Sequence, residues 1–193
     1  MGIAPLRRPA VFLDRDGILT RAVVRDGRPY PPATRESMQL ADGAVEATAL
    51  LKAAGFLLLV VSNQPDVARG TQSQAEVERI NEALAERLPL DGFFTCYHDD
   101  ADRCLCRKPR PGLLLAAARV HAVDLAASYA IGDRWRDVDA AARAGVRPVF
   151  VDYGYSERAP DAQPGHVAAG VLGAAHWIAA QRAGDDARTL RSA

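Results

Sequence analysis

The feature that most constrains the fold is the run Phe56-Leu57-Leu58-Leu59-Val60-Val61, which has no polar interruption. A strand with one wet face alternates apolar and polar residues, whereas a run apolar throughout fits a strand covered on both faces, as in parallel sheets between helical layers. Further short β-rich runs at 10–13, 93–97, 129–131 and 148–152, with 56–62 itself, predict five strands. Between them, Ala- and Leu-rich amphipathic stretches predict helices over 43–54, 73–88, 111–121, 135–144 and 167–181, then a polar tail, 184–193, that frays. Gly55, Pro89 and Gly145 are stop signals, Pro111 opens a helix, and Ser73 with Glu76 spells a capping box. Alternating strands and helices imply an α/β fold: three layers, Rossmann-like, around a parallel central sheet. The 193 residues make one domain, with its core at about 10–181. Residues 18–42 are too many for a tight strand-to-helix loop, and Asp26-Gly27 is a turn signal, so a small flap is expected there with no large cap domain.

Composition removes several function classes. Lys plus Arg equals Asp plus Glu, so the net charge is zero and there is no electrostatic case for a nucleic-acid or anionic-membrane partner. The longest apolar run is far too short to cross a bilayer. The start, MGIAPLRRPA, has no signal-peptide core and fails the myristoylation pattern, so a cytoplasmic chain is expected, and nothing suggests more than a monomer. Three cysteines, an odd number, disfavour a disulfide framework.

In open parallel sheets ligands bind at the carboxyl ends of strands. The first strand ends in Asp14-Arg15-Asp16-Gly17, the second in Ser62-Asn63-Gln64, and the fourth in Gly132-Asp133, with Asp137 four residues on. Lys108 follows the third on a loop entering a helix. A lone strand-end Asp is usually a turn or cap residue, but several converging acids repel unless a hard cation joins them. Mg²⁺, which favours a few carboxylates plus phosphate oxygens, suits that task. Carboxylate, hydroxyl and ammonium around Mg²⁺ meet the needs of phosphoryl transfer, and Asp is a known phosphoryl acceptor.

These runs resemble the four motifs of the haloacid dehalogenase superfamily of phosphatases, in family order: Val11 to Gly17, Val60 to Gln64, Arg107-Lys108-Pro109 and Ile131 to Asp137. The resemblance implies that Asp14 attacks phosphorus, while Asp16 protonates the leaving oxygen and then activates water. It implies that Asp14, the backbone carbonyl of Asp16 and Asp133 hold Mg²⁺, and that Ser62 and Lys108 stabilise the phosphoryl group. Asp137 would orient Lys108 or a metal-bound water.

Cys96-Tyr97-His98 and Cys104-Leu105-Cys106 supply three thiolates and an imidazole within eleven residues, a full tetrahedral Zn²⁺ set with no position left for catalysis. Such a Zn²⁺ is structural and pins the loop that delivers Arg107 and Lys108. Zinc-loop members of the superfamily include heptose bisphosphate phosphatases and histidinol phosphatases, and Arg107-Lys108, Ala68-Arg69-Gly70 and the basic residue after Asp133 resemble the former. That resemblance implies Mg²⁺-dependent removal of the 7-phosphate of D-glycero-D-manno-heptose 1,7-bisphosphate, the alternative being histidinol phosphate or another small phosphomonoester. It puts Ser62, Arg107 and Arg134 on the phosphate, and Asn63 and Gln64 in the substrate pocket.

The sequence departs from the heptose pattern at Ser62, at Pro65-Asp66, in the flap from Arg21 to Tyr30, and in the short acidic stretch holding Asp99, Asp100 and Asp102. All lie on loops that would read the leaving group. A shallow pocket is expected between loops 18–35, 64–70 and 96–108, with Arg25, Arg28, Arg69 and Arg110 as candidates for a second phosphate.

Overall fold

A computed structural model describes the backbone of residues 7–191 and the side chains of residues 7–185. Its central sheet has six strands: β1 (Ala10–Leu13), β4 (Leu57–Asn63), β5 (Gly92–Cys96), β6 (Tyr129–Gly132), β7 (Arg147–Val151) and β8 (His166–Ala168). They lie in the order β5-β4-β1-β6-β7-β8, and every pairing is parallel. The pleat divides the strand side chains between two cores. Val11 and Leu13 of β1, with Leu58 and Val60 of β4, meet α1 (Ala44–Ala53), α3 (Gln74–Ala85) and α6 (Val171–Arg191). Ala10 and Phe12, with Leu57, Leu59 and Val61, meet α4 (Gly112–His121) and α5 (Trp135–Arg143). The apolar run of β4 is thus explained by burial on both faces.

Strand order reverses at β1, which has β4 on one side and β6 on the other. The carboxyl ends of these strands therefore open onto a crevice, where parallel α/β sheets bind ligands. A hairpin of β2 (Val23–Arg25) and β3 (Arg28–Tyr30) rises from the loop after β1, turning on Asp26 and Gly27, both at positive φ. This is the expected flap, and no larger cap is present among the described residues.

Several details differ from the sequence reading. The segment from 167 is not all helix: His166–Ala168 pairs with Val149–Val151 as an edge strand, and α6 starts at Val171. It continues through Arg191, inside the segment 184–193 read as a tail; residues 192 and 193 lie outside the described residues. Ser73 Oγ accepts the Glu76 N–H at 3.1 Å, but Glu76 does not complete the capping box. Its carboxylate instead accepts the Arg35 N–H at 2.6 Å and pairs with Arg79. A short helix, α2 (Pro65–Ala68), and a 3-10 turn at Asp100–Asp102 were not foreseen. No described helix is long and apolar enough to cross a membrane.

Candidate active site and metal centres

Four strand-end segments converge at the switch point. Lys108, 3% exposed, reaches from the loop before α4 to Asp14 Oδ1 at 2.8 Å, Asp137 Oδ1 at 2.5 Å and the Val61 carbonyl at 2.7 Å. Asn63, at the end of β4, fixes the Lys108 backbone: its Oδ1 accepts the Lys108 N–H and its Nδ2 donates to the Lys108 carbonyl, both at 3.0 Å. Asp14 Oδ1 also accepts the Arg15 N–H at 2.9 Å. Asp137 Oδ2 accepts the Arg134 N–H at 3.0 Å, which ties the first turn of α5 to the centre.

Asp133 is 2% exposed, and neither carboxylate oxygen has a hydrogen-bond partner; the Tyr155 phenol approaches without completing a bond. A buried carboxylate with no partner is costly unless a cation meets it. Asp14, Asp133 and Asp137 can bring one oxygen each within 4.8 Å of one another. Both Asp137 oxygens are engaged by Lys108 and Arg134, so Asp14 and Asp133 are the two free to ligate a metal. Three carboxylates against one ammonium leave two negative charges, which one divalent cation balances. Gly17 makes room for this group: a Cβ there would stand 1.8 Å from Asp133 Oδ2.

The electrostatics follow from burial. Burial first, and the Asp137 charge second, raise Asp14 from 3.8 to about 6, against the pull of Lys108. Asp133 is pushed well above the carboxylate range by burial and by the Asp14 and Asp137 charges. Burial would lower Lys108, but Asp137 and Asp14 outweigh it and hold the ammonium above its ordinary value.

Asp16 lines the same cleft with its carboxylate fully engaged. Oδ1 accepts from Arg15 Nε and Thr20 Oγ1, both at 3.0 Å; Oδ2 accepts from Arg15 Nη2 at 3.0 Å and Gln64 Nε2 at 2.7 Å. Arg15, wholly buried, is held in turn by Asn81. Gln64 also donates to Ser62 Oγ at 2.8 Å.

The cleft has a volume of about 540 Å³. Asp14, Asp16, Ser62, Asn63, Lys108, Arg134 and Asp137 line it. Gln64 does not: at 1% exposed it lies beneath Asp16 and Ser62, donating to both, because it sits past the end of β4 where the chain turns into α2. Arg107 does not either; it donates to Asp100 at 2.8 Å and to the His98 carbonyl at 3.4 Å. Of the second-phosphate candidates, Arg28 and Arg69 reach the cleft, while Arg25 lies over Tyr30 and Arg110 bonds the Cys104 carbonyl. Sequence reading missed a wall formed by Trp135, Arg136, Ser156, Glu157 and Arg158. The segment from 96 to 106 does not line the cleft.

The second cluster joins Cys96, His98, Cys104 and Cys106. The Cys96 sulfur lies 3.6 Å from His98 Nδ1 and 3.7 Å from Cys104; Cys106 lies 3.3 Å from Cys96, 3.3 Å from His98 and 3.4 Å from Cys104. These are too long for disulfides and fit the edges of a tetrahedron whose Zn–S bonds are about 2.3 Å. The Arg107 N–H donates to Cys104 Sγ at 3.4 Å, one residue before Lys108. The acids of this loop hold cations in place: Asp99 chelates Arg69, and Asp100 bonds Arg107 and Arg136.

Comparison with known proteins agrees with this geometry. The HAD-hydrolase-like family matches residues 105–174. D-glycero-β-D-manno-heptose-1,7-bisphosphate 7-phosphatase of Escherichia coli K12 is 39% identical over 150 residues, covering 72% of this chain and 75% of that protein. The enzyme of the same name from Helicobacter pylori J99 is 35% identical over 144 residues, covering 72% and 79%. The crystal structure of D,D-heptose 1,7-bisphosphate phosphatase from B. bronchiseptica, complexed with magnesium and phosphate, superposes with a TM-score of 0.73 at 29% identity. It covers 90% of this chain and 99% of that one. A sheet order built on β1, the strand-end acids beside Lys108 and these relatives converge: the chain belongs to the haloacid dehalogenase-like hydrolase superfamily, in the branch that holds the heptose bisphosphate phosphatases.

Proposed function

We propose that this phosphatase removes the 7-phosphate of D-glycero-β-D-manno-heptose 1,7-bisphosphate through a phosphoryl-enzyme on Asp14. The observation that carries the reading is Lys108 bridging Asp14 and Asp137 at 2.8 and 2.5 Å beside the partnerless Asp133 carboxylate. Asp14, Asp133 and the backbone carbonyl of Asp16 would hold Mg²⁺, whose charge lets the anionic phosphate approach an anionic carboxylate. Asp14 attacks phosphorus, forming a new P–O bond as the bond to the sugar oxygen breaks. Lys108 and Ser62 hold the non-bridging oxygens, and Asn63 keeps Lys108 in place. Asp16 gives its proton to the departing sugar oxygen, which requires it to leave its bonds with Arg15 and Thr20. It then takes a proton from the water that attacks phosphorus and frees Asp14. Asp137 positions Lys108. Arg134, held by Glu157, adds positive charge at the cleft wall.

Cys96, His98, Cys104 and Cys106 would hold a structural Zn²⁺ that fixes the approach to Lys108. We read the chain as one cytoplasmic catalytic unit, with its core at about residues 10–181. The substrate reading draws on the names of relatives at 35–39% identity and on a cleft with arginines at its rim. The test is kcat/KM across a panel of sugar monophosphates, sugar bisphosphates and histidinol phosphate, with Mg²⁺. The heptose bisphosphate should lead, and its product should keep the anomeric phosphate. A tenfold preference for histidinol phosphate would overturn the assignment.

A further inference from the structure

Outside the reaction centre, the charges lining the cleft are segregated. Arg28, Arg69, Arg134, Arg136 and Arg158 face two acids, Asp66 and Glu157. Both acids are committed: Glu157 binds Arg134 through two contacts, and Asp66 bonds Arg69. Arg69 is further chelated by Asp99, and Arg158 is tied to Asp161 and Asp139. Two cations remain undercompensated. The guanidinium of Arg28 makes no ion pair or hydrogen bond with any described residue. Arg136 has one 3.3 Å contact, to an Asp100 that bonds Arg107 more closely at 2.8 Å.

Both are held at the rim by built structure. Arg136 lies over Trp135, 4.6 Å from the ring centroid, and Arg158 covers the same ring at 3.5 Å. Arg158 is anchored by Asp139, a carboxylate 1% exposed on α5 that also accepts the Asp161 and Ala162 N–H groups. That anchor fixes the loop after β7 against α5 and stiffens the Trp135 platform. The same loop grips the hairpin: the Ser156 N–H donates to the Gly27 carbonyl at 2.8 Å, setting the backbone beside Arg28.

We propose that Arg28 and Arg136, the latter seated on Trp135, form a second anion subsite that takes the non-reacting phosphate of a sugar bisphosphate. The proposal rests on the phosphatase reading above and names the part of the cleft that tells a bisphosphate from a monophosphate. Such a phosphate carries about two negative charges near pH 7 and prefers planar, multiply donating guanidinium groups. Neither arginine bonds to Asp14 or Lys108, so their contribution goes to binding, read in KM, more than to the chemical step.

The experiment compares kcat/KM for heptose 1,7-bisphosphate and heptose 7-phosphate, in wild type, Arg28→Ala, Arg28→Lys and Arg136→Ala. Wild type should prefer the bisphosphate. Each alanine variant should cut the bisphosphate-to-monophosphate ratio by about tenfold or more, mainly through KM, with Arg28→Lys recovering part of it. Arg28 is exposed on the hairpin, so its variants do not threaten folding. A ratio unchanged in the Arg28 and Arg136 variants overturns the subsite, as does an equal fall on both substrates. A wild type that hydrolyses both equally well removes the subsite and leaves the phosphatase chemistry standing. A wild type inactive on both defeats the functional reading itself.

Discussion

Gly17→Ala separates the geometry of the metal-side carboxylate from all else in the site. Gly17 has φ +95°, where a side chain is strained, and a Cβ there would stand 1.8 Å from Asp133 Oδ2 and 2.6 Å from its Cγ. The backbone strain costs about 1–2 kcal/mol. In a chain of this size that is a fall in Tm of about 2–8 °C. The collision is the larger effect on function. Asp133 must retreat by about 1 Å, and a misplacement of that size costs about 100-fold in rate. Phosphate release followed against Mg²⁺ concentration should show kcat/KM down by about 100-fold and the Mg²⁺ midpoint raised. Gly55→Ala is the control: φ there is +86°, but no atom lies within 4 Å of the new Cβ. It should lower Tm without touching the Mg²⁺ dependence. A Gly17→Ala enzyme with the wild-type Mg²⁺ midpoint and rate would refute the placement of Asp133 as a metal-facing group.

Asp14, raised to about 6 by burial and by Asp137, keeps a proton in the folded Mg²⁺-free protein that the unfolded chain has released. Stability of that form should therefore fall as pH rises from about 4 to about 6, Asp14 contributing about 3 kcal/mol and Asp133, raised in the same direction, adding to the fall. Mg²⁺ should cancel the fall, since it binds the deprotonated acids; melts with and without Mg²⁺ across that window check this. Cys104→Ser should lose zinc and lower Tm by about 10 °C or more, and full zinc content in that variant contradicts the ligand set. Asn63→Ala strips both backbone partners from Lys108 and should lower kcat about tenfold with KM little changed. A larger effect on KM than on kcat would return Asn63 to substrate binding.

What the sequence revealed tracks what burial and spacing encode. The runs at 10–13 and 56–62 were legible because strands covered on both faces must be apolar, and the acids at their ends followed from the placement of ligands in parallel sheets. The cysteine set was legible from spacing alone. β8 was not: His166-Val167-Ala168 is a three-residue edge strand with no periodicity of its own, created by pairing with β7. Gln64 and Arg107 carried motif positions, but both lie past their strands, where the path of the loop decides which way each side chain points. The turn from β4 into α2 buries Gln64 under Asp16, and Asp100 takes Arg107. Arg136 and Arg158 gave no signal because one sits on the first turn of a helix and the other twenty-two residues on; only the packing of α5 against the loop after β7 makes them one wall.

The central claim is that Asp14 becomes covalently phosphorylated. Rapid acid quench during turnover of the heptose bisphosphate, followed by peptide mass analysis, tests it directly. One phosphoryl group should appear on the peptide carrying Asp14, and Asp14→Asn should abolish both label and turnover while keeping the fold. Turnover that persists in Asp14→Asn at a near-normal rate, or a phosphoryl group found on another residue, would contradict it.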